Sequence, residues 1–197
     1  MRKLLLIGWL LIPVIAAAWH YGPGQERLRL ERVAATLAQA DAAAAAAQWE
    51  RADELYDEAL RALPPDRVAE IRRVRLERAK AQMQAHKLPV AHQDLKDLVQ
   101  ELASDPSADR QLLADVREAL ANAQYYVTWL MRLEGEPRED WEPEIEAARQ
   151  NFGLLAEQAE AAGDAAAARK HEEDLESAIR LARMDLAELQ GLPLPSQ

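Results

Sequence analysis

The chain has 197 residues, 34 acidic and 24 basic, with a formal net charge of −10, no cysteine and only 7 glycines. This excludes disulfides, cysteine-based metal sites and thiol catalysis, and an acidic chain is a poor match for a nucleic-acid phosphate backbone. The 40 Ala and 29 Leu, against 8 Val and 6 Ile, are the composition of packed helices, with too few β-branched residues for a sizeable sheet.

Met1-Arg2-Lys3 is a short basic start, and no charge follows until Glu26. The apolar run over residues 4–21 would reach about 27 Å as a helix, near the lower limit for crossing a bilayer. Trp19 and Tyr21 stand where interfacial aromatics sit. Two readings are open. One is an uncleaved anchor; the other is a secretory signal cleaved after the small residues Ala16-Ala17-Ala18. Both put the remainder outside the cytoplasm. For a bacterial source the anchor reading means a single-pass inner-membrane protein, N-terminus cytoplasmic, with its helical part in the periplasm, and the cleaved reading means secretion to the periplasm. Setting aside Arg2 and Lys3, the −10 of the whole chain becomes −12 for that part.

Beyond the anchor, helical-period apolar stripes and short breaks predict seven helices, over about 25–47, 49–63, 66–86, 89–103, 108–133, 140–163 and 165–190. Pro64-Pro65, Ser104-Asp105-Pro106, Glu134-Gly135-Glu136-Pro137 and Gly163-Asp164 are among the breaks, and Asp140 is the expected N-cap of the sixth helix. The sixth stripe is Trp141, Ile145, Ala148, Phe152, Leu155, Ala159, and the seventh is Leu175, Ile179, Ala182, Leu186, Leu189. Short loops between single-sided helices imply antiparallel neighbours packed in sequence. The division is 1–24 anchor or signal, 25–190 helical domain, and 191–197 a Pro-rich tail.

Trp49, Ala52, Tyr56, Ala59, Leu60 and Pro64 place small, aromatic, small and Pro at offsets of four, three and five. This resembles the second helix of a tetratricopeptide repeat. Ala91, Leu95 and Leu98, after Ala79, are a weaker copy, and so are Ala148, Phe152 and Leu155, after Ala123 and Tyr126. The breaks near Gln48, Leu88 and Gly135 lie farther apart than that family's repeat, and Ala replaces its usual large residues in the first helix. The resemblance implies an all-α fold: a short right-handed α-solenoid of about three helical hairpins with a C-terminal capping helix, preceded by the transmembrane helix. Another α-solenoid or a simple bundle also fits the periodicity.

Catalytic chemistry has little to stand on. The four Ser and two Thr lie outside any nucleophile-elbow pattern, and no His pair has the spacing of a helical metal site. The acidic run around His171-Glu172-Glu173 reads as a solvated helix face, and the sparse glycines leave no phosphate-cradling loop. The expectation is a protein that is not an enzyme, uses no cofactor or metal, and binds no nucleic acid.

Two features point to a protein partner. The first is a basic stretch, where Arg67, Arg72, Arg73, Arg75, Arg78 and Lys80 are set against only Glu70 and Glu77. If the first helix of each hairpin lines a concave groove, as the resemblance implies, Arg73, Leu76, Lys80, Met83, Arg117, Leu120 and Gln124 face it. That groove would suit an acidic peptide or a C-terminal carboxylate. The alternative is that these cations pair with acidic neighbouring helices. The second is an aromatic group containing Tyr125 and Trp129, either an exposed anchor for a partner or the packing of an extended hairpin. The reading is a membrane-anchored extracytoplasmic scaffold or adaptor that mediates protein–protein interaction in envelope assembly, secretion or quality control. The alternative is a structural, homo-oligomerising subunit.

Overall fold

A computed structural model describes residues 23–190 of the chain, and within them all regular structure is helical. The helices are α1 Pro23–Ala45, α2 Trp49–Ala62, α3 Val68–Gln84, α4 Leu88–Ser104, α5 Arg110–Glu134, α6 Arg138–Ala162, α7 Ala165–Arg183 and α8 Leu186–Gln190. The anchor read over residues 4–21 and the tail from 191 lie outside the described residues. Among those described, no helix is long and apolar enough to cross a membrane.

The chain divides into two compact units, residues 1–67 and 68–197. In the first, α1 and α2 pack as a hairpin. Ala40, Ala52 and Ala59 are fully buried and Tyr56 nearly so, so small side chains let the backbones approach while the aromatic ring fills the remaining gap. Hydrogen bonds help tie the pair: the Tyr56 hydroxyl donates to Asp41 Oδ1 at 2.7 Å, and Arg29 Nε donates to the Ala62 carbonyl at 2.7 Å.

In the second unit each helix from α3 to α7 packs on the next, α8 packs back on α5, and α5 lies at the centre. One face of α5 (Leu112, Val116, Ala119, Leu120, Ala123) closes a core with Leu76 and Ala79 of α3 and Ala91, Leu95, Leu98 and Leu102 of α4. Its other face (Ala121, Trp129) closes a second core with Trp141, Ile145, Ala148 and Phe152 of α6, Ala178 and Leu181 of α7, and Leu189 of α8. One long helix with two apolar faces therefore carries two cores, and its single-sided neighbours cover it from either flank.

Four helices end in the same way. A residue in left-handed conformation follows α1 (Ala47, φ 54), α3 (His86, φ 58), α5 (Gly135, φ 79) and α6 (Gly163, φ 76). The next N–H then reaches back across the last turn: Gln48 to Ala43, Lys87 to Gln82, Glu136 to Met131 and Asp164 to Ala159, each at 2.9 Å. This satisfies carbonyls that a helix end leaves unpaired.

Two predicted boundaries differ. Asp140 is inside α6, which starts at Arg138 with Pro137 as its cap residue, because proline's fixed φ already supplies the extended cap geometry. The single helix expected over 165–190 is two, α7 and α8, since Met184 is extended (ψ 144) between them. Arg132 holds this break open, donating to the carbonyls of Leu181 and Met184.

Candidate functional site

Four cations of the basic stretch, Arg72, Arg73, Arg75 and Lys80 of α3, form ion pairs within their own unit. Arg72 donates to Glu101 at 2.7 Å and to Asp105 at 2.8 Å, and Arg75 donates to the other oxygen of Glu101 at 2.6 Å. Arg73 reaches Asp109 at 3.1 Å and Lys80 reaches Glu77 at 2.8 Å. The Arg72 hydrogen bond holds Glu101 below the usual carboxylate range. Asp105 is drawn down to about 2, first by the Ser107 hydroxyl and then by Arg72. Of the two readings of the basic stretch, pairing with neighbouring acids is the one seen.

The nine residues singled out in the sequence do not form one open surface. Leu76 and Leu120 belong to the first core. Gln124 is buried and accepts a hydrogen bond from Asn151 at 3.2 Å. Met83 packs against the first core, while Trp129 is a buried member of the second, with Tyr125 packed against it. Arg73 and Leu76 line a hollow of about 320 Å³ between α3 and α5, but Glu77, Asp109 and Asp115 line it too. Three carboxylates around one already paired guanidinium make this hollow repel an acidic ligand. Helical spacing identifies which residues share a face; it does not say whether a neighbouring helix covers that face, and here α4, α6 and α7 do.

Arg117 is placed differently. With Arg110 it lines a groove of about 700 Å³ between the first turns of α5, the last turns of α6 and the start of α7. The cause is local. Ala114, Ala159, Ala161, Ala162 and Ala167 meet here, and alanine side chains are too short to fill the space between three helices. Leu113 and Leu155 complete an apolar lining, and Gln111, Gln158 and Asp164 stand among the lining residues. Arg110 and Arg117 form no ion pair or hydrogen bond with any described residue. Their neighbours are matched, since Lys170 of α7 bonds Glu118 of α5. Asp164 is engaged as the α7 cap, accepting from Ala167 N at 3.0 Å.

His171 also lines the groove: Glu172 and Glu173 are exposed, as read from the sequence, but His171 itself is 7% exposed. Its Nδ1 has no hydrogen-bond partner and lies 3.9 Å from Asp174 Oδ2. Burial raises Asp174 above the ordinary aspartate value. A second polar cluster joins α4 to α6, with Glu144 taking His92 Nε2 at 3.0 Å and Lys96 Nζ at 3.6 Å. The His92 contact holds Glu144 below the usual range. Among the described residues, no group of three or more His, Asp and Glu is arranged to hold a metal ion.

The sequence pointed to Arg117 but missed Arg110, His171 and the groove itself. The available signal was the run Ala165-Ala166-Ala167-Ala168 facing Ala159, Ala161 and Ala162, which marks a place where two helices lack side chains to close on a third. Compared with known proteins, the chain matches no family model and no curated protein.

Proposed function

We propose that the chain is a membrane-tethered, extracytoplasmic helical-repeat scaffold that binds another protein. The observation that carries this reading is the α5–α6–α7 groove, with its alanine and leucine lining and unpaired guanidiniums. Such a surface offers apolar contact and charge together, the combination a protein interface uses. The helical hairpins follow one another in the chain, and α3 to α7 pack consecutively as a solenoid requires. The tetratricopeptide-like spacing in α2 supports the same architecture, and the apolar run at 4–21 supports the tether. A tether raises effective concentration for partners at the same membrane.

The reading is tested in cells with the intact chain, using photo-cross-linkable residues at exposed positions on several faces: Arg51, Lys96, Gln158 and Glu172. A discrete cross-linked partner at any one of them is expected. No product at all four positions would overturn the scaffold reading. A reporter that works only outside the cytoplasm, fused after Gln197, is expected to be active; activity of a cytoplasm-only reporter there would overturn the orientation.

A further inference from the structure

We infer that the α5–α6–α7 groove takes an acidic, amphipathic extended peptide segment of the partner protein, with Arg110 and Arg117 each receiving one carboxylate. This rests on the scaffold reading and adds the partner's chemistry. In a chain with 34 acidic against 24 basic residues, counter-charges are in surplus, so two arginines left without a partner in one groove need a reason. Helix stability does not supply one. Arg110 is the first residue of α5, where a cation opposes the helix dipole. Asp164, the carboxylate at the groove, is committed to capping α7. Both guanidiniums are therefore available to a ligand, and their planar donors suit carboxylates in particular.

The spacing suits an extended peptide. Seven residues apart on α5, Arg110 and Arg117 project from one face about 10 Å apart along the axis, a separation that a ligand with two carboxylates spans without either side chain bending toward the other. An extended peptide in polyproline II conformation brings residues i and i+3 to the same side about 9 Å apart. Glutamates at that spacing meet both arginines while the residues between them lie on Leu113 and the alanine lining. The groove thus reads a Glu-x-x-Glu pattern with apolar residues between.

The test uses the full-length chain in detergent, isotope-labelled, and a synthetic peptide of four Glu-Leu-Pro repeats, with Gln-Leu-Pro and Lys-Leu-Pro repeats as controls. Binding of the Glu peptide is expected to shift the amides of Ala114, Gln158 and Ala167, to weaken with added salt, and to be at least about tenfold tighter than for either control. Arg110→Glu with Arg117→Glu is expected to weaken it at least about tenfold with helicity kept. Gln158→Trp, an exposed position that plugs the groove without touching the charges, is expected to do the same. Equal binding of the Glu and Lys peptides, unchanged binding to the double variant, shifts confined to other faces, or no binding at all would overturn the inference. So would an absence of peptide binding accompanied by Arg110- and Arg117-dependent attachment to phosphatidylglycerol vesicles, which would assign the arginines to lipid. A partner cross-linked at Arg51, Lys96 or Glu172 alongside any of these failures would leave the scaffold reading standing and remove only this site.

Discussion

Arg72 has a mostly covered side chain, 12% exposed, with one carboxylate on each side of its guanidinium, Glu101 from α4 and Asp105 from the turn after it. Removing it leaves Glu101 with Arg75 alone and Asp105 with Ser107 alone, and takes away the guanidinium that joins the two acids. Arg72→Met is expected to lower stability by about 1–3 kcal/mol, measured by urea denaturation at neutral pH. The pH dependence has a definite sign. Glu101 and Asp105 are both lower when folded than when unfolded, so their contribution is fully present above about pH 4.5 and is lost as pH falls through the folded values toward 2. The native chain should lose stability over that window, and Arg72→Met should flatten the loss; an unchanged acid limb would count against the pairing. None of these pairs was legible as a pair in the sequence. The partners are 26 to 36 positions apart, and charge patterning along one helix carries no information on what a separate helix brings alongside.

At the level of the element, the shared helix ending makes a graded set of expectations. Gly135 and Gly163 supply the left-handed residue without strain, whereas His86 does the same work with a side chain. His86→Gly is therefore expected to raise the melting temperature, by relief of about 1 kcal/mol of backbone strain. Gly163→Ala should lower stability by a similar amount, since a Cβ there meets nothing within 4 Å and only the backbone penalty remains. Gly153 is the opposite case: it lies in the interior of α6, and a Cβ there also meets open space. Gly153→Ala should stabilise by about 0.5–1 kcal/mol through helix propensity. Thermal unfolding of the three variants would expose any reversal of this order. The last turn of α7 depends on a different device, the Arg132 guanidinium, which sits 4.7 Å from the Trp141 ring centroid while donating to two α7-end carbonyls. Arg132→Gln should speed hydrogen exchange at residues 178–184 well beyond the rest of α7; uniform protection would show that the break between α7 and α8 needs no such clamp.

At the scale of the whole molecule, residues 68–197 contain both clusters built on α5. Expressed alone, this unit is expected to keep its helical circular dichroism and to melt cooperatively, and Phe152→Ala, at a position 2% exposed, should lower its stability by about 3–5 kcal/mol. A broad, non-cooperative melt would show that the unit cannot stand by itself. The helices and most of their breaks were readable because helix formation is local: Ala and Leu favour the turn, and glycines or prolines punctuate it. The small-residue positions Ala52, Ala59, Ala91, Ala123 and Ala148 were readable from spacing and are all fully buried. What the sequence by itself determined is thus an acidic chain whose described residues form helices packed on their neighbours in sequence, with a basic stretch in the middle. Only the tertiary structure decided which cations are consumed and which remain. Arg72, Arg73 and Arg75 meet the acids of α4 and of the turn leading into α5, while Arg110 and Arg117 look onto a gap that alanines on three helices leave open. Charge is a property of residues, but its availability depends on which helices cross beside it, and that is set by the packing of the two cores around α5.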